Sequence, residues 1–232
     1  MRIRRQLTAL LATTLAATAV GVVATATPAA AAVPTRVVLQ VSHPKAHFGD
    51  KLSITGQVQG QQTDGTWAAV PAGSATLQFS PKSGSDWTTL GADDSAGSFY
   101  FYPEKAQKSG SFRVVYSGGT YGEYQFTPTT SAGKSLKVYR DLHDTLTRPG
   151  NRLVLKGKVS PSYAKKAVVV ERRTTKHGKW KKFKKIRTNK KSHWSVQLPA
   201  PRRGEWYFRA YTPKSGGLEK SLTNYSYRTY RL

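Results

Sequence analysis

The chain has 232 residues, with 37 lysines and arginines against 12 aspartates and glutamates and a formal charge of +25, a balance that points first to an anionic partner. It has no cysteine, which excludes a disulfide scaffold, a thiol nucleophile, an iron–sulfur cluster and a cysteine-based zinc site. Aromatic residues make up 11%, with 20 glycines and 12 prolines, so the chain has the means to build and punctuate a core and is not of the disordered class.

Residues 1–32 have the order of an export signal. Arg2, Arg4 and Arg5 precede an uncharged apolar stretch over residues 7–23, and Ala29, Ala30, Ala31 and Ala32 supply a small-residue cleavage site. Cleavage is expected after Ala31 or Ala32 by the general secretory route, because the Arg4-Arg5 pair by itself is thin support for twin-arginine export. The stretch is rich in Ala, Thr and Gly and only weakly apolar, which favours removal over retention as a membrane anchor. No later run is long and apolar enough for a spanning helix. The mature chain is therefore expected to be secreted, with association to the cell wall open.

Beyond the signal the sequence repeats itself. The pattern G-x-x-L-x-[IL]-x-G-x-V at 49–58 returns at 150–159, an offset of 101. Leu52, Ile54 and Val58 alternate with polar residues, as do Leu153, Leu155 and Val159, the period of a half-buried strand. Next, Ala75 to Leu77 followed by Trp87 matches Val168 to Val170 followed by Trp180 at an offset of 93. The first copy thus carries about eight extra residues, expected between Gln61 and Ala72. Phe99 and Phe101 match Trp194 and Val196, and the run Gly110, Phe112, Val114 is aligned with Gly204, Trp206, Phe208.

Sustained 3.6-residue periodicity is absent after the signal, so the expectation is all-β: two tandem antiparallel β-sandwiches of six or seven short strands each. They are placed at 33–139 and 140–232, with the boundary near Tyr139 and a connection too short to be a flexible tether. The repeated motif, the stretch from Val170 to Trp180 and the final runs at Gly110 and Gly204 resemble bacterial immunoglobulin-like domains, more narrowly the sandwich repeats of secreted actinobacterial proteins. The resemblance covers nearly all of 34–232 and implies an immunoglobulin-like sandwich for each copy; it implies little about activity. Where antibody-type domains have a corner tyrosine, Phe112 and Trp206 stand in this alignment, so that hydrogen bond is not expected.

Charge separates the copies. Residues 34–139 hold 9 cations and 7 acids, whereas residues 140–232 hold 25 and 5. The densest segment is Arg172, Arg173, Lys176, Lys179, Lys181, Lys182, Lys184, Lys185, Arg187, Lys190 and Lys191, eleven cations in twenty positions. It reads as a β-hairpin with strands at 168–173 and 180–187 and a turn at Lys176-His177-Gly178. Like charges across a hairpin repel, so an anionic ligand would relieve the cost, although a merely solvated face gives the same pattern. These residues are the expected polyanion-binding set. Trp180 inside the run is read as packing, because Trp87 matches it in the near-neutral copy, with stacking on sugar or base as the alternative. The carboxyl end, Tyr225, Tyr227, Arg228, Tyr230 and Arg231, reads as a last strand covering a sandwich edge, or as a Tyr/Arg extension of the basic patch.

No catalytic, metal or cofactor site is expected. His43, His47, His143, His177 and His193 form no zinc-binding pair, the acidic pairs Asp93-Asp94 and Asp141 with Asp144 lack a calcium-loop frame, and nucleophile elbows and phosphate-cradling glycine loops are absent. The reading is a secreted, non-enzymatic binding or structural protein. Its basic second copy would dock on an anionic cell-wall polymer of the teichoic type, a glycan or extracellular nucleic acid. The competing readings are a module for an acidic protein partner and, more weakly, a cationic toxin.

Overall fold

A computed structural model describes residues 31–81 and 85–231. Residues 1–30, where most of the export signal is expected, lie outside the described residues. The described chain is built from strands, and among these residues no helix is long and apolar enough to cross a membrane.

The first half contains β1 (Ala31–Val33), β2 (Thr35–Val41), β3 (Lys45–His47), β4 (Lys51–Gln61), β5 (Trp67–Ala69), β6 (Ala75–Ser80) and β7 (Thr88–Asp93). It continues through β8 (Phe99–Lys105), β9 (Gly110–Tyr116), β10 (Gly119–Tyr121), β11 (Tyr124–Phe126), β12 (Thr129–Thr130) and β13 (Lys134–Tyr139). The second half contains β14 (Asp141–Thr147), β15 (Leu153–Ser160), β16 (Ala167–Arg173), β17 (Lys181–Arg187), β18 (His193–Leu198), β19 (Trp206–Thr212), β20 (Ser221–Leu222) and β21 (Tyr227–Thr229).

The two halves share a two-sheet core, to which the first half adds a small sheet of β1, β11 and β10 and a parallel β3–β13 pair that the second half lacks among the described residues. One sheet joins β2, β4 and β8, answered by β14, β15 and β18; the other joins β7, β6 and β9, answered by β17, β16 and β19. In the first half β13, β3 and β12 complete the second sheet, and in the second half β20 and β21 do so. The extra residues of the first copy lie where expected. Instead of a plain loop they form β5, which folds back on the extended end of β4.

The repeated motif has a physical reading at each fixed position. Gly49 and Gly150 have φ of +91° and +58°, a turn conformation that costs other residues steric strain. Leu52, Ile54, Val58, Leu155 and Val159 are buried. At the second glycine, a Cβ on Gly56 would lie 1.9 Å from the Val38 carbonyl and 2.7 Å from the Phe99 ring. A Cβ on Gly157 would meet the His143 carbonyl at 2.5 Å and Trp194 at 2.9 Å. In both halves a ring from the neighbouring strand occupies the place of the missing side chain.

Sheet register corrects one alignment made from sequence. Leu77 faces Val114 and Phe79 faces Phe112, while Val170 faces Ala210 and Arg172 faces Phe208. Phe112 therefore corresponds to Phe208, and Gly110 to Trp206. The matching G-x-aromatic strings were two residues out of step, because period-2 strands look alike after a slip of two.

The buried side chains form two clusters. One gathers Leu52, Ile54, Leu77, Phe99, Val114 and Tyr116 with their neighbours; the other gathers Leu155, Val168, Val170, Trp194, Phe208 and Ala210. Arg140 alone separates β13 from β14. Leu218, from the loop between β19 and β20 of the second half, is 3% exposed and belongs to the first cluster. The same loop is held by Ser109 N–H donating to the Gly217 carbonyl (2.7 Å) and Glu219 N–H donating to the Val138 carbonyl (2.8 Å). Arg140 lies over the Tyr163 ring at 4.7 Å and donates through Nη2 to the Ser215 carbonyl at 2.6 Å. The halves are thus joined by a docked loop as well as by the chain.

Candidate anion-binding face

The basic hairpin forms as the sequence indicates: β16 and β17 pair antiparallel from Ala167–Arg187 to Arg172–Lys181. In β17 the partly buried residues are Phe183 and Ile186, three apart, and the flanking lysines are exposed. A regular strand cannot turn both toward one core. The conflict is resolved by a bulge: Val170 pairs Lys184 and Glu171 pairs Lys182, leaving Phe183 as the extra residue. Phe183 then packs edge-on against Phe208, with centroids 5.3 Å apart. The first half has its bulge at the equivalent place, between Leu77 and Gln78, with Leu90 as the extra residue.

Cross-strand partners share a face, so the register lays out the outer surface of this sheet in rows. One row is Lys185, Val169, Tyr211 and Leu222; the next is Lys182, Glu171 and Arg209; the third is Arg173, Tyr207 and Arg228. Several of these cations rest on aromatic rings. Arg173 and Arg209 lie 4.4 and 4.3 Å from the Trp180 centroid, Arg173 is also 5.2 Å from Tyr207, Lys220 is 3.9 Å from Tyr211, and Arg228 is 5.1 Å from Tyr230. Such contacts hold a guanidinium flat and limit its rotamers, which reduces the entropy lost when it grips a ligand.

Among the described residues of these rows Glu171 is the one carboxylate, paired with Arg209 at 2.7 Å, and Glu205, just before β19, pairs with Arg228 at 3.0 Å. Glu205 also accepts from the Tyr207 phenol at 2.7 Å, a bond that holds this phenol above its ordinary titration range. A shallow hollow of about 280 Å³ between Arg173, Trp180, Arg209 and Tyr225 opens at the edge of the face.

The eleven expected cations are not all together. Arg173, Lys182 and Lys185 stand on the outer face. Arg172 turns to the opposite side, 4.1 Å from the Trp206 ring at the rim of the core. Lys181 and Lys184 are the exposed partners of the inward-facing Arg172 and Val170, so the edge strand carries lysines on both its sides. Lys176 and Lys179 are exposed in the hairpin turn; Arg187, Lys190 and Lys191 are exposed at the other end, toward β18. Sequence reasoning missed Arg209 and Lys220, which lie outside the dense run and reach it only through strand pairing. Of the carboxyl end, Arg228 and Tyr225 join the face, whereas Tyr227 turns inward and its phenol donates to the Asp144 carboxylate.

The Trp180 ring is engaged from within the protein, and so is its counterpart. Trp87 has Arg113 4.1 Å from its centroid, and Arg113 donates to Gln78 as Arg209 does to Glu171. Both halves therefore use a tryptophan to seat an arginine of the central strand.

Edge lysines also serve to block strand addition, and β17 is an edge strand. That purpose explains Lys181 to Lys185. It does not explain Arg173 on central β16; Arg209 has its counterpart in Arg113 of the first half, and Arg228 stands on β21, which among the described residues pairs only β19. Nor does the fold demand the charge: at the positions of Lys182, Lys185 and Arg187 the first half has Thr89, Ala92 and Asp94.

No protein-family model matches the chain, and no curated protein does. Among solved structures, the chicken interferon gamma receptor alpha chain is similar at 14% identity with a TM-score of 0.46, covering 85% of this chain and 98% of that one. A marsupial T cell receptor (11%, 0.33, covering 83% and 71%) and the D0-D1 domain of intimin (9%, 0.29, covering 85% and 100%) are also found. The assignment of an all-β, two-sandwich fold stands on the sheets of the chain itself.

Proposed function

We propose that this is a secreted, non-enzymatic binding protein whose second sandwich docks on a polyanion through the outer face of β17, β16, β19 and β21, with the first sandwich as spacer. The observation that carries the reading is the row of exposed cations on β17 beside the ring-seated Arg173 of central β16, at positions where the near-neutral first half has Thr89, Ala92, Asp94 and Ser80. A polyanion fits this face better than a single small anion because the cations are spread in rows rather than gathered in a closed pocket. Anionic wall polymers of the teichoic type, anionic glycans and nucleic acids are the candidate classes.

The test is a salt titration of the mature chain on immobilised polyanion. Binding that releases counterions falls steeply as salt rises. Replacing Lys182 with Thr and Lys185 with Ala, the residues of the first sandwich at these positions, is expected to lower the slope of log K against log salt by about 1.4 to 1.8 for two lost contacts. An unchanged slope would sink the proposal and leave the basic face as a solubilising surface.

A further inference from the structure

On the opposite sheet of the second sandwich lies a groove of about 620 Å³ that the dense basic run does not reveal. It is lined by Thr145 of β14, Lys156 and Lys158 of β15, His193 and Ser195 of β18, and Arg187 with Asn189 at the turn from β17. Register aligns it in two rows, His143–Lys158–His193 and Thr145–Lys156–Ser195. Lys156, Lys158, Arg187 and His193 are exposed, and no carboxylate lines the groove. The nearby Asp144 faces the other way and is taken by Tyr227, while Asp141 is paired with His47 at 2.5 Å. The lining is thus cationic and rich in hydrogen-bond donors, with nothing of opposite sign to neutralise it.

This groove is continuous with the face on the other sheet. Arg209 and Arg173 lead to Lys182 and Lys185 on the outer side of the edge strand, Lys181 and Lys184 occupy its other side, and Arg187 at its end already lines the groove. The cationic track therefore turns around one edge of a sandwich whose two sheets lie roughly 10 Å apart. A double helix cannot follow such a turn, since its persistence length is about 500 Å. A flexible single chain can.

We infer that the partner is a flexible, single-chain polyanion that wraps the β17 edge and occupies both the outer face and the Lys156–Lys158 groove. This rests on the docking reading above and narrows its ligand class: a polyol phosphate and a single-stranded nucleic acid share the required chemistry, and a duplex does not.

The experiment measures salt-dependent binding of the mature chain to two probes with the same number of phosphates: an abasic single-stranded phosphodiester and a duplex DNA. Each is measured with the native chain, with Lys156→Gln/Lys158→Gln, and with Lys182→Thr/Lys185→Ala. The native chain is expected to bind the single strand more tightly and with the steeper salt slope. The groove variant should lower the single-strand slope by about 1.4 and leave the duplex slope unchanged, while the outer-face variant lowers both. A groove variant without effect on the single strand, or with equal effect on both probes, overturns the wrapping. If the outer-face variant changes neither slope, the docking reading itself fails. Unchanged denaturation midpoints verify that each variant is folded, and a poly(ribitol phosphate) arm separates a wall-type polymer from nucleic acid.

Discussion

At the scale of single residues, two positions make the packing testable. Gly157 has the Trp194 ring and the His143 carbonyl within 3 Å of where a Cβ would stand. Gly157→Ala is expected to destabilise the protein by about 1–3 kcal/mol, read as a fall in denaturant midpoint at constant m-value. Gly150→Ala, by contrast, meets only the cost of positive φ, since nothing lies within 4 Å. Asp144 offers a pH test. Burial raises its carboxyl above the usual range, and the Tyr227 hydrogen bond only partly offsets this. For an acid with a raised folded-state value the native state holds the proton longer, so its contribution is fullest below the ordinary aspartate range and is lost as pH rises through the folded-state value. Asp144→Asn should therefore flatten the decline in stability over that interval, measured as denaturant midpoint against pH.

At the scale of elements, the β17 bulge reconciles a sequence with three-residue apolar spacing to a sheet with two-residue periodicity. Deleting Lys184 lets Phe183 pair Val170 while Lys185 and Ile186 keep Val169 and Val168, so both apolar residues stay inside a regular strand. That deletion is expected to cost less than about 1.5 kcal/mol. Deleting Phe183 instead leaves Lys184 opposite Val170, where it already stands, but removes the ring packed on Phe208, with an expected loss of about 3 kcal/mol or more. Equal losses from the two deletions in denaturant unfolding would show that the bulge has a role beyond register. This hairpin and its turn were legible in the β-branched run Val168–Val170 and the Gly178 signal. The bulge was not, because it exists only relative to the partner strand.

At the scale of the molecule, the loop carrying Leu218 makes the first core depend on the second half. Leu218→Ala is expected to destabilise the first sandwich by about 2–4 kcal/mol while leaving the second unaltered, which should split or broaden the calorimetric transition. A chain cut at the boundary would expose the site that Leu218 fills, so binding is best measured on the whole mature chain. The salt titrations above belong to this scale too, since a slope counts contacts over an entire surface rather than at one residue.

The longer strands, the doubled pattern, the place of the insertion in the first half and the uneven charge were legible in the sequence. Each of these is a local periodicity or a composition, and a period of two with glycine at turns and close contacts is written in consecutive residues. The expected six or seven strands per copy fell short of the thirteen among the described residues of the first half, because two- and three-residue strands such as β1, β3, β5, β10, β11 and β12 are too short to show a period. Only the tertiary structure decided which cations stand together. Arg209 and Arg228 meet Lys182 and Arg173 through pairing of strands far apart in the chain, and Lys156 and Lys158 meet Arg187 only because β17 leads around an edge into the opposite sheet. The same holds for the alignment of Phe112 with Phe208 and for Leu218 in the first core. A slip of two residues or a loop docked across a boundary leaves the local pattern unchanged, and long-range contacts alone distinguish the alternatives.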